Sequence, residues 1–364
     1  MTNKFFNLMF LAAALVFTSC SSDDDALPLG PISVVIEGAD VAPEVGGPNQ
    51  QNQVYVDLST NTTTSVQRDS WDLGFYSGSD FRVVINGSIY MATAALSTTD
   101  IDAVNSSDSE VQSLQPQVAV GTFQASSANY IDAPNGDLSE TAIAEVSSTD
   151  ANNAVYLVNL GFEVGTAAAE TGSVEVSGDA RGWMKIRVLR DGDNYVLQYA
   201  DLDATTHEEV TISKNSDYNF TFFSFNTNSE VNVEPSAKNW DLNFTVFTNE
   251  ISGFGAYGYS DYIVNNTLEN VGVYMIDTEV ETELSYENFT LENVVNANFE
   301  YNDRRAIGSD WRNGGGPSSG PSLKENVFFI LNDTDGNLYK IKFLALTNES
   351  GERGYPEFVY SLLQ

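Results

Sequence analysis

Histidine and cysteine occur once each in 364 residues, as His207 and Cys20. That scarcity excludes a paired-histidine zinc site, a cysteine-rich metal cluster, CxxC redox chemistry and an intramolecular disulfide framework. Basic residues are few as well: 16 Lys and Arg stand against 51 Asp and Glu, a formal charge of −35. So acidic a chain cannot readily assemble the basic patch that phosphate contacts need, and nucleic acid is excluded as a partner. Beyond Cys20, no stretch approaches the ~18 consecutive apolar residues of a membrane span. What is present is apolar and aromatic side chain, 42% and 12% of the residues with 21 Phe and 17 Tyr. That is far too much for a disordered chain and demands a large core.

The first residues read as an export signal. Lys4 precedes the apolar stretch Phe5–Phe17, long enough for a signal-peptide core and too short to span a bilayer. Phe17-Thr18-Ser19-Cys20 then approaches cysteine through small residues, as a bacterial lipoprotein box does, so residues 1–19 are expected to be removed and Cys20 lipidated. Ser21-Ser22-Asp23-Asp24-Asp25 follows, within a flexible acidic tether over 20–31, and resembles the surface-export signal of Bacteroidota-type lipoproteins. The expectation is an outer-membrane lipoprotein, exposed on the cell surface and held to the membrane only by its lipid.

From Ile32 onward the chain reads as one domain, mainly β, built of antiparallel sheets with few short helices. Runs at 54–58, 83–85, 154–160, 186–189 and 195–199 are β-branched and aromatic and are separated by turn residues. Asp191-Gly192 and Asp335-Gly336 each sit between two such runs and predict hairpins. The best helical candidate is 99–115. The order W-D-L-x-F occurs twice, at Trp71–Phe75 and Trp240–Phe244, with alternate residues on one face of a strand. Even with the preceding Ser70 and Asn239, six residues are too few to establish a duplication, and the pair is read as core anchors within one domain.

Enzyme motifs fail in context. Gly316-Pro317-Ser318-Ser319-Gly320 matches the nucleophile elbow formally, but it lies in a Gly/Pro-rich loop with no helical pattern after it. Asn332–Asn337 has its glycine too early for a calcium loop and reads as a hairpin turn. A carboxylate pair for glycoside hydrolysis is not identifiable among so many acids.

Several pieces in order resemble the HmuY-like haem-binding lipoproteins: Val41–Gln50, Val54–Leu58 and Ser70–Phe75, then Trp240–Phe244, Ala306–Arg312, Asn326–Leu344 and Gly351–Phe358. Residues 88–180 fit least well and read as an insertion. The resemblance implies a mainly antiparallel β fold that holds one haem between hairpin loops, is lipid-tethered to the outer membrane, and hands haem to a TonB-dependent receptor for iron acquisition. It also implies a His pair or a Met pair as axial ligands. With His207 alone, a bis-His site within one chain is impossible, and methionine carries more weight. Met275 follows the second W-D-L strand at a suitable distance, although Met amid Val, Tyr and Ile is also how a core is filled. Tyr257, Tyr259 and Tyr262 on the Gly-rich stretch 254–262 are the other haem-ligand candidates, with His207 in a polar acidic stretch as a further one. Arg304, Arg305 and Arg312 are candidates for propionate contacts. The reading is therefore a non-enzymatic, surface haem- or porphyrin-binding lipoprotein. The alternatives are a glycan- or protein-binding adhesion module and a secreted polysaccharide hydrolase.

Overall fold

Alternation decides the local structure. In Trp183–Asp191 and Asn194–Asp201 every second side chain is buried, Met184, Ile186 and Val188 on one strand and Tyr195, Leu197 and Tyr199 on the other. They form the hairpin expected at Asp191-Gly192, where Gly192 takes φ +61°. Val327–Asn332 and Leu338–Thr347 form the second, with Gly336 at φ +86°. Asp333 Oδ1 there accepts from the Asp335 and Asn337 amides, which is a turn's own bonding. The expected helix at 99–115 is a 3-10 turn, Ile101–Ala103, followed by the six-residue α-helix Ser109–Leu114. The computed structural model describes residues 37–315 and 319–364, within the compact unit Val35–Gln364.

All strand pairs among the described residues are antiparallel, and the four large sheets fall into two matching sets. One five-stranded sheet runs Glu208–Ile212, Asn194–Asp201, Trp183–Asp191, Tyr156–Asn159, Ala92–Ala95. Its counterpart runs Gly38–Val41, Arg353–Leu362, Leu338–Thr347, Val327–Asn332, Gly272–Asp277. One four-stranded sheet runs Ser229–Val231, Phe220–Ser224, Leu73–Tyr76, Val83–Ile85; the other runs Thr62–Gln67, Asn52–Asp57, Leu242–Ile251, Gly255–Asn265.

Residue detail matches as well. The Asp72 amide donates to Phe223 O at 2.8 Å, and the Asp241 amide to Val56 O at 2.8 Å. The carboxylates of Asp72 and Asp241 accept from Phe225 N and Leu58 N, each two residues beyond those carbonyls. Further on, Asn86 and Asn266 donate Nδ2 to the carbonyls of Arg68 and Trp71, and of Ala237 and Trp240. Each asparagine opens a 3-10 turn closed by a residue in the left-handed region, Tyr90 at φ +66° and Asn270 at φ +61°. The two W-D-L segments are thus both core anchors and the same position in two structural repeats of one domain.

The repeats are interlocked. Gly38–Val41 and the hairpin Asn52–Gln67 complete the sheets of the second repeat, pairing with Arg353–Leu362 and Leu242–Ile251. Glu208–Val231, which lies next to the second repeat in sequence, completes the first. The chain crosses between repeats at Arg68, a buried guanidinium that donates to the carbonyls of Gln50, Ser88 and Val176. Residues 88–180 carry Ala92–Ala95 and Tyr156–Asn159 of the first repeat's five-stranded sheet, the long connection between them, and the two-stranded ribbon of Phe162–Val164 with Ser177–Ala180.

The aspartates have diverged. Asp72 is paired with Arg181 Nη1 at 2.6 Å, both buried. Asp241 has no cation within ion-pair distance among the described residues, and burial, with Asp333 and Asp57 nearby, pushes its carboxyl up to about 8.

Two outcomes are expected. Asn86→Ala and Asn266→Ala each strand two buried carbonyls and cost about 2–3 kcal/mol in urea unfolding. Because the native carboxyl of Asp241 is raised above its unfolded value, its stabilisation is full below about pH 4 and is lost as pH rises toward about 8. Wild-type protein is therefore more stable at pH 5 than at pH 8, and Asp241→Asn reduces that difference; an unchanged difference contradicts the assignment.

Candidate binding site

The two repeats differ most at the hairpin after W-D-L. Trp71 lies 15 positions before Asn86, whereas Trp240 lies 26 before Asn266. The additional residues lengthen Leu242–Ile251 and Gly255–Asn265 into a hairpin of which the first repeat has only the stub Leu73–Ile85. A bulge between Thr245 and Phe247, with Asp261 at φ +46°, resets which side chains share a face.

That extension carries a continuous row of rings. Phe247 stacks on Tyr262 at 4.5 Å and 8°; Tyr262 meets Tyr259 edge-on at 5.7 Å, Tyr259 meets Tyr257 at 5.6 Å, and Tyr257 meets Phe123 at 5.7 Å. Exposure rises along the row from Tyr262 at 3% to Tyr257 at 36% and Phe123 at 61%. Burial raises the Tyr262 phenol well above its ordinary value, partly offset by nearby Arg305.

Buried charge fixes the row from below. The Asp261 carboxylate takes Arg353 Nε at 2.6 Å and Gln50 Nε2 at 2.7 Å, with Arg312 Nε at 4.0 Å. Arg312 also donates to the backbone carbonyls of Ser260 and Asp261, between Tyr259 and Tyr262. Arg305 is held twice by Asp303 and reaches Asn249 Oδ1 at 3.0 Å, while Asn249 Nδ2 donates to the Tyr262 hydroxyl at 3.2 Å. Arg304 donates Nε to Pro134 O, and its guanidinium lies 5.1 Å from the Phe247 ring. At the tip, Gly255 at φ +78° lets the hairpin close on residues 121–127: Ala256 N donates to Ser127 Oγ, and Gly121 N to Ala256 O.

The three tyrosines and three arginines named from sequence thus gather around one hairpin. Met275 stands apart on Gly272–Asp277, 39% exposed and opposite Phe329. His207 lies in the first repeat with Nδ1 2.9 Å from Asp102 Oδ1. No described contact joins either to the tyrosine row. Cys20, the signal 1–19, the tether and part of Gly316–Gly320 lie outside the described residues. Sequence reading missed Phe123, Phe247 and Asn249. Phe123 comes from 133 positions upstream of Ala256, so only tertiary structure brings it to the row, and Phe247 joins it only through the bulge after Thr245, which breaks the alternation of the W-D-L strand. Among the described residues no cluster of three or more metal-ligating side chains occurs. Chemically, the row offers graded ring faces for a flat apolar ligand, with phenol oxygens beside them.

The family model of the HmuY protein matches residues 49–206 and 216–360. In chain order each segment opens near a hairpin, Asn52–Gln67 or Phe220–Val231, that the fold places in the other repeat. No curated protein matches the chain. Among solved structures, the apo HmuY analogue of Tannerella forsythia is 9% identical, with 91% of this chain and 98% of that one covered, at a TM-score of 0.24. Apo PinO from Porphyromonas gingivitis is 15% identical, with 49% and 94% covered, at 0.22. A Bacteroides vulgatus protein described as HmuY-like and heme-binding is 10% identical, with 89% and 91% covered, at 0.21. These likenesses are weak, and the family match stands without them.

A Cβ at Gly255 would lie 2.1 Å from Gln124 O. Gly255→Ala should therefore free the hairpin tip, with faster hydrogen exchange at the Gly121 and Ala256 amides and no change at Leu242 to Thr245; unchanged exchange at the tip contradicts the docking.

Proposed function

The chain belongs to the HmuY family, and from that premise we propose that it is a cell-surface haem- or porphyrin-binding lipoprotein, a binding protein and not an enzyme. It takes haem on the aromatic hairpin of the second repeat and passes it to a TonB-dependent outer-membrane receptor for iron acquisition. The observation that carries this reading is the ring row from Phe247 to Phe123 on a hairpin extension that the first repeat lacks. A segment the repeat fold does without, bearing surface aromatics, is better explained by a ligand than by stability. The cavity between the four-stranded sheets, about 160 Å³, is too small for a porphyrin. Tyr257 and Tyr259 are the phenols a haem iron reaches on this surface, since Tyr262 is buried with its phenol held neutral. Arg305 and Arg304 are the candidate propionate partners, Arg305 being partly exposed though paired with Asp303; Arg312 is buried under Asp261 and backbone.

A second reading has one observation in its favour. The outer end of the row is open, with Phe123 at 61% and the neighbouring Phe254 at 56% exposure, as in an aromatic platform that stacks sugar rings.

Haemin titration of the chain from Ser21 onward separates the two. The haem reading expects a saturable Soret shift that weakens about tenfold or more in Tyr257→Ala or Tyr259→Ala, with Met275→Ala and His207→Ala as ligand controls. No Soret shift at micromolar haemin overturns it and leaves the glycan- or protein-binding module. Protease accessibility on cells, lost in Cys20→Ala, checks the lipid anchor and surface exposure.

A further inference from the structure

The cavity between the repeats has a chemistry of its own, independent of the haem reading. Residues of both four-stranded sheets line it, with aromatic walls from Trp71, Trp240, Tyr55 and Phe222. Of the eight buried side-chain polar atoms without a hydrogen-bond partner among the described residues, four belong to its lining residues: Trp71 Nε1, Trp240 Nε1, Asn243 Oδ1 and Asn265 Oδ1. The two indoles meet aromatic rings edge-on, Trp71 with Phe222 at 4.8 Å and Trp240 with Tyr55 at 5.1 Å. The two amide oxygens have no such cover. Glu234, also on the wall and 7% exposed, accepts the Phe220 amide at 2.9 Å and has no cation within ion-pair distance among the described residues.

The repeat relation shows that the fold does not require these acceptors. Asn243 follows Leu242 as Gly74 follows Leu73, and Asn265 precedes Asn266 as Ile85 precedes Asn86. Where the first repeat has hydrogen and hydrocarbon, the second has two amides, and the Glu234 carboxyl lines the same cavity. Buried acceptors without donors are costly unless something supplies the donors.

We infer that this cavity binds a small organic ammonium ion, a primary amine on a compact aromatic or aliphatic body, whose three N–H donors meet Asn243 Oδ1, Asn265 Oδ1 and the Glu234 carboxylate. The surrounding ring faces favour a cation. A cavity of about 160 Å³ suits a body of benzene size, since an engineered void of ~150 Å³ takes up benzene. The cation on the wall, Arg304, is directed at Pro134 O and offset by Asp132, and Asp137 adds negative charge to the lining.

Burial, with Glu269 nearby, lifts the Glu234 carboxyl to about 8, so at neutral pH it holds a proton that an arriving ammonium displaces. Benzylamine is the probe, titrated calorimetrically at pH 7 into the chain from Ser21 onward in two buffers of different ionisation enthalpy. The expected result is saturable one-to-one binding with release of close to one proton, and binding of benzyl alcohol about tenfold or more weaker. Glu234→Gln should lose about tenfold or more in affinity together with the proton release, while haemin titration stays as in wild type. Asn243→Gly, which puts there the residue the first repeat has as Gly74, should weaken benzylamine binding too and carries the test if Glu234→Gln does not fold. Absence of benzylamine binding, equal affinity for the alcohol, or unchanged binding in the folded variants overturns the inference. A failed haemin titration would not.

Discussion

A single buried guanidinium sits where the chain passes from one repeat to the other. Arg68 donates to the carbonyls of Gln50 in the N-terminal segment and of Ser88 and Val176 in the first repeat, so one side chain satisfies backbone from both sides of the crossing. Taking that charge out of water is costly, and burial lowers its pKa to about 10. The cost is supported because the crossing fixes everything downstream of it. With Gln67 delivered to the second repeat and Trp71 to the first, Asn52–Asp57 can cover the edge of Leu242–Ile251, and Phe220–Ser224 can cover Leu73–Tyr76. Neither four-stranded sheet is complete without the strand lent to it, and an uncovered edge is a liability for any β protein.

Both proposed binding surfaces follow from this arrangement. Two repeats with the same hydrogen-bond frame can diverge wherever the frame does not depend on the residue. The second repeat has used that freedom twice, by lengthening the hairpin after Leu242 into an aromatic extension and by placing Asn243 and Asn265 where the first keeps Gly74 and Ile85. Asp241, whose carboxyl is raised by burial where Asp72 is ion-paired, shows the same divergence within the frame itself.

Much of the β architecture was legible because alternation and turn glycines are local. Asp191-Gly192 and Asp335-Gly336 predict their hairpins from two residues each, and W-D-L-x-F marks strands whose anchors are indeed buried. The duplication was only hinted at, since its other shared features are single residues at unequal spacing: Asn86 lies 15 positions after its Trp and Asn266 lies 26 after its own. Exchange of the hairpins has no local signal at all, because the register of a strand with a partner about 190 residues away, Val54 with Phe244, is set by packing. At the site, the tyrosines were visible as a cluster, whereas Phe123 reaches them only through the tertiary fold. Arg312, expected as a propionate contact, is buried under Asp261, and sequence could not show this because its neighbours in space, Ser260 and Asp261, are about 50 residues away in the chain.

The interlocking is tested most directly by crosslinking within the chain. Asp40 pairs with Val359, and the equivalent of Val359 in the first repeat is Gln198, which pairs with Glu209. In the chain from Ser21 onward, which lacks Cys20, Asp40→Cys with Val359→Cys should oxidise to an intramolecular disulfide in a monomer, and Asp40→Cys with Gln198→Cys should stay reduced. The reverse pattern would mean that each repeat keeps the hairpin preceding it in sequence, and would contradict the exchanged fold from which both sites are derived.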